Sequence, residues 1–139
     1  MQANIKIVAW ALLGYLLCGD AFGRPPSKIL AEMENLAKVR AALMVCFDSA
    51  SYDKLPTQVA LNWHSLNSRI DDAIALVEKK YNDDNAYPAL MVAAVTYAGD
   101  RSFLTSLAAT YSGPCVPQVF MDASEMTGTI TRKIRAFTK

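Results

Sequence analysis

Residues 86–111 read AYPALMVAAVTYAGDRSFLTSLAATY, and how this stretch divides decides the fold. Its first part, residues 86–98, is apolar on nearly every side, which predicts a buried helix too short to span a bilayer. Gly99 suits a left-handed helix end, and Asp100 suits the N-cap of a further helix over residues 101–111. At 1.5 Å per residue the two pieces together come to roughly 36 Å. The stretch therefore reads as one long helix broken near Gly99.

Its neighbours on either side read as helices of comparable length. Upstream, Arg24-Pro25-Pro26-Ser27 is a start signal with Ser27 as the expected cap. Apolar residues then fall at Ile29, Met33, Leu36, Leu43, Met44 and Phe47, while Glu32, Glu34, Lys38 and Arg40 take mostly other positions, the pattern of an amphipathic helix. Residues 48–53 (DSASYD) break it. Pro56 suits the first turn of a second helix, along which Val59, Trp63, Leu66, Ile70, Ile74, Val77 and Tyr81 repeat at spacings of three and four. Residues 81–85 (YNDDN) form a polar turn.

Downstream, residues 112–117 (SGPCVP) are a second hard break. A last helix over residues 117–137 places Val119, Phe120, Ala123, Met126, Ile130, Ile134 and Phe137 on one side, with Arg132, Lys133 and Arg135 near an end whose dipole favours cations. The first, second and last helices come to roughly 30, 40 and 30 Å. Four arms of similar length joined by short connections predict an all-α, up-down-up-down four-helix bundle whose third helix is broken near Gly99, with residues 24–139 as a single domain.

The start of the chain sets the compartment. Lys6 supplies a positive charge, residues 7–18 (IVAWALLGYLLC) are an apolar run, and Ala21-Phe22-Gly23 puts small residues where a signal peptidase cuts before Arg24. Residues 1–23 are therefore expected to be a cleaved signal peptide, with no stable membrane insertion afterwards. Of the three cysteines, Cys18 leaves with it, and the remaining pair, Cys46 and Cys115, reads as a disulfide in an oxidising compartment, periplasmic or secreted. In the expected bundle both lie at one pole. Closing so long a loop stabilises a fold by roughly 4 kcal/mol in the chain-entropy account.

Composition and spacing exclude several function classes. Losing Lys6 and Asp20 from totals of 14 basic and 13 acidic residues leaves 13 and 12, a net charge of +1 with no electrostatic case for nucleic acid. His64, the only histidine, has Ala60 and Ser68 four residues to either side, so it lacks helical partners for a metal, and no cofactor is implied. Asp71 and Asp72 are neighbours on a helix and do not face each other. The oxygen-rich residues 82–85 lack the spacing of a calcium loop. No nucleophile motif is present, so no catalytic residue is assigned.

What remains is the stapled pole. The breaks at residues 48–55 and 111–116 carry Tyr52, Asp53, Lys54 and Tyr111, and tyrosines on rigid loops are common binding anchors. These four are the expected partner-binding residues of a non-catalytic domain that binds another protein, and a homodimer is compatible with the same reading. In size, export, helicity and single disulfide the chain is similar to the periplasmic immunity proteins that neutralise cell-wall-degrading effectors delivered by rival bacteria. That likeness of gross plan implies that a loop from the stapled pole occludes an enzyme's active site, and no family site residue carries over with it. Two alternatives are a carrier of a small apolar ligand within a methionine-rich interior (Met33, Met44, Met91, Met121, Met126), and a subunit of an envelope assembly anchored by an uncut N-terminus.

Overall fold

A computed structural model of the chain describes residues 25–139, so the signal-peptide reading of residues 1–23 lies outside the described residues. Five α-helices occupy most of them: α1 (Ser27–Phe47), α2 (Thr57–Tyr81), α3 (Ala86–Ala98), α4 (Arg101–Thr110) and α5 (Pro117–Phe137), with one 3-10 turn at Tyr52–Lys54 and no strand among the described residues. None of these helices is long and apolar enough to cross a membrane.

Proline and polar caps set most of the boundaries. Pro26 and Pro56, at φ −58° and −55°, precede α1 and α2, and Pro117 opens α5, where a missing N–H costs no helical hydrogen bond. Ser27, expected as a cap, is instead the first helical residue of α1, and no side chain caps that end. Asn82 closes α2 at φ 49°, a left-handed conformation that asparagine tolerates better than most side chains. Gly99 differs from expectation, because its φ is −95° and no described glycine has positive φ. The break at this point comes from Asp100, whose backbone is extended and whose buried carboxylate accepts the Phe103 N–H at 3.1 Å.

Helix α1 is the central element, packing against α2, α3 and α5. Eleven of its 21 residues are buried, too many for a single apolar stripe, and two of them are the charged Glu32 and Arg40. Their enclosure departs from the amphipathic pattern, and each is compensated. Arg40 pairs with Asp71 of α2 and lies over the Tyr87 ring of α3, while Glu32 takes Lys133 Nζ of α5 at 3.3 Å. Glu34, half-buried, accepts the Tyr97 hydroxyl at 2.8 Å. Besides these and Asp100, the buried polar set holds Thr127, whose hydroxyl donates to the Ala123 carbonyl at 2.7 Å, and the rest of the core is apolar, built around Trp63, Leu36, Leu43, Leu66, Ile70 and Ile134.

These cross-contacts give directions. Phe47 meets Trp63 and His64 while Arg40 meets Asp71, so α1 and α2 run antiparallel. The Cys46–Cys115 disulfide at one end, with Cα atoms 5.0 Å apart, and Glu32–Lys133 toward the other make α1 and α5 antiparallel too. Helix α3 is not buried all round. Ala86, Leu90, Ala93 and Ala94 face inward, whereas Val92 is 50% and Val95 54% exposed, because no described element covers that side.

Candidate functional site

The pole at the C-terminal end of α1 is assembled locally before it is stapled. After Phe47, Ser49 turns the chain back by bonding the Cys46 carbonyl with both its N–H, at 3.0 Å, and its hydroxyl, at 2.7 Å. Tyr52 N–H then reaches the Ser49 carbonyl and begins the 3-10 turn, which Leu55 and Pro56 end. The Cys46–Cys115 bridge joins this turn to the connection entering α5, with Ser49 Oγ 3.4 Å from Cys115 Sγ.

Tyr52 is held on two sides. Its ring stands edge-on to Phe47 at 5.0 Å, and its hydroxyl lies 2.6 Å from His64 Nε2, while the His64 ring stacks on Phe47 at 5.2 Å. Trp63, buried below, continues the cluster to Phe120 of α5 at 5.6 Å. Such ring pairs are worth about 0.5–1.5 kcal/mol each beyond their area. They fix the turn that presents Asp53 and Lys54, both exposed. The lone histidine thus serves as an exposed orienting partner of Tyr52.

Tyr111 is held at the other connection. Its hydroxyl donates to Asp122 Oδ2 of α5 at 2.7 Å, and Gln118 donates to the other carboxylate oxygen at 2.7 Å. The Asp122 hydrogen bond, then burial, then repulsion by the same charge push the Tyr111 phenol up to about 12. The Tyr97 phenol also rises well above its ordinary value, chiefly through burial and then through Glu34. Tyr52 and Tyr111 therefore engage different helices, α2 and α5, with the disulfide linking their loops.

Beside Tyr111 lies a half-open pocket of about 290 Å³. Ala42 and Val45 of α1 form one wall and Leu104, Leu107 and Ala108 of α4 the other, Val119 of α5 sits below, and residues 111–114 close one end. No charged side chain lines it. The methionine interior does not supply this space: Met33 is packed in the core, Met121 and Met126 are 60% and 47% exposed, and none of the five lines the pocket.

Among the described residues, no three His, Cys, Asp or Glu side chains gather in a way that could hold a metal ion. No protein-family model, curated protein or solved structure matches the chain. The geometry of the pole is thus the basis for a functional reading.

Proposed function

We propose that the chain is a non-catalytic protein-binding domain of the periplasm or extracellular space, which engages its partner through Tyr52, Asp53, Lys54 and Tyr111 at the stapled pole. The observation that carries this reading is the preorganisation of that pole. Two tyrosines ordered by hydrogen bonds sit on loops joined by a disulfide, so little side-chain freedom is left to lose on binding. Asp53 and Lys54 between them offer charges of both signs for register and specificity.

In this reading the partner is a secreted enzyme, of the kind that degrades cell wall, and the pole blocks its active site. The wider plan belongs to the same proposal. Residues 1–23 are removed on export, residues 24–139 fold as one domain, and α3 and α4 together act as the broken third arm of an up-down-up-down four-helix bundle. Support comes from the antiparallel pairing of α1 with α2 and with α5, and from the disulfide, which suits an oxidising compartment.

Affinity capture from envelope extracts of competing bacteria, using the wild-type chain and an Asp53→Lys/Lys54→Glu variant, tests the reading. The expected result is a captured protein whose hydrolysis of purified peptidoglycan is inhibited by the wild type and at least about tenfold less by the variant, a difference of about 1.4 kcal/mol. Inhibition equal for both chains, or capture of no peptidoglycan hydrolase, would overturn it.

A further inference from the structure

We infer that the pocket between α1 and α4 is a binding site for an uncharged apolar molecule of about ten to twelve carbons, such as a medium-length aliphatic chain or a fused bicyclic ring. Three observations converge on this.

The first is size. At about 290 Å³ the pocket is roughly twice an apolar cavity that takes benzene, and it sits at the lower edge of the range for small-molecule sites. The second is chemistry. Ala42, Val45, Leu104, Leu107, Ala108 and Val119 give aliphatic walls with no charged side chain. Polar lining is confined to the end formed by residues 111–114, where Ser112 carries a hydroxyl and that of Tyr111 is already donated to Asp122, so along the aliphatic walls an ordered water finds none of the two to four polar partners it needs. An apolar occupant therefore gains what water forfeits at these walls.

The third is the state of α4. This helix carries Phe103, Leu104 and Leu107 toward the protein, yet none of its residues is fully buried, whereas each of the other four helices buries several. An amphipathic helix usually buries its apolar stripe against the core. Here alanines, Ala42 on α1 and Ala108 on α4, contribute to both walls, so the space between the helices is left open. A ligand of the stated size completes the burial of Leu104 and Leu107, and α4 acts as its cover.

This inference does not rest on the partner-binding reading, because it concerns the isolated chain and a small molecule. The test is a titration of the purified chain with 1-decanol and, separately, naphthalene, followed through the methyl resonances of valine, leucine and alanine. Saturable shifts confined to Val45, Leu104, Leu107, Val119 and the lining alanines are expected from at least one probe. Ala108→Phe, which places a ring in the mouth from a position that is exposed, should weaken that binding at least tenfold. Val95→Ser on the outer face of α3 should leave it unchanged.

Four results would overturn the inference: no shifts with either probe, shifts centred on α3 or the C-terminal end of α5, binding indifferent to Ala108→Phe, or pocket shifts that depend on protein concentration without probe. The last would assign the pocket to a second copy of the chain. The wild-type methyl map decides between the first two even if Ala108→Phe fails to fold.

Discussion

Replacing Cys46 and Cys115 together by alanine removes a link between residues 69 apart in sequence, and the cost can be worked from that separation. In the chain-entropy account a loop of this length gives up about 15 cal/mol/K when closed, so losing the bridge costs about 4 kcal/mol at 25 °C. Packing adds to this, because Cys46 is fully buried and Cys115 nearly so, and two missing sulfur atoms cost about 1 kcal/mol more. Urea denaturation followed by Trp63 fluorescence measures the sum. With a slope near 2 kcal/mol/M, a loss of about 5 kcal/mol should lower the midpoint by about 2.5 M. The melting temperature should fall by roughly 20 °C. Chemical reduction of the wild type keeps both sulfur atoms and should give the cross-link part alone, about 1 kcal/mol less than the double variant. If the reduced chain and the double variant both stay within 1 kcal/mol of the oxidised wild type, the reasoning fails, and the unfolded ensemble must already hold these ends together.

Asp71→Ala leaves the Arg40 guanidinium enclosed without its carboxylate, and since Asp71 is 41% exposed the loss should fall between surface and buried pairs, about 1–3 kcal/mol by denaturation. Arg40→Met with Asp71→Leu removes both charges at similar volume and should recover most of that loss. Gly99→Ala should raise stability by about 0.4–1 kcal/mol, because its φ is −95° and an added Cβ meets nothing closer than 3.6 Å, whereas a left-handed cap would make the change destabilising. Tyr111 ionises above the ordinary tyrosine value, so its contribution to stability is complete below about pH 10 and is lost as pH rises toward about 12. Absorbance titration should find its phenol moved down toward about 10 in Asp122→Asn.

Much of the helix layout is legible because punctuation is strong where it occurs. Pro56, Pro117 and Asp100 mark starts within a residue of those observed, and setting aside the cysteine in the expected leader pairs Cys46 with Cys115. Burial is less legible, since it depends on how many neighbours a helix acquires. Glu32 and Arg40 look like surface residues in a one-dimensional pattern and become enclosed only because α1 meets three helices. Val92 and Val95 look like core residues and stay exposed because nothing described covers that side of α3. At the pole, Tyr52, Asp53, Lys54 and Tyr111 are visible as loop residues, but the partners of the two tyrosines, His64 and Asp122, sit on α2 and α5 and follow from no spacing rule. The pocket has only a faint signal, small residues at Ala42 and Ala108 on segments that the fold brings together.

The angular layout of α1 explains how one pole carries two unlike surfaces. At about 100° per residue, Arg40 and Phe47 point within about 20° of each other, toward α2 and the Tyr52–His64 pair. Ala42 and Val45 point about 140–200° away from Arg40, into the pocket beneath α4. Cys46 falls between these directions and faces the connection entering α5. The disulfide therefore anchors the helix that separates the aromatic ridge from the apolar pocket, and it fixes the rotation of α1 on which both depend. A protein partner at Tyr52 and an apolar ligand under α4 would touch opposite faces of one helix. Any coupling between them has to pass through that rotation or through the connections at either side of the bridge, and by linkage it must be equal in both directions. With α1 tied at this end to the connection entering α5, the rotation is restrained, so a substitution at one surface should leave the other unchanged while the bridge is intact.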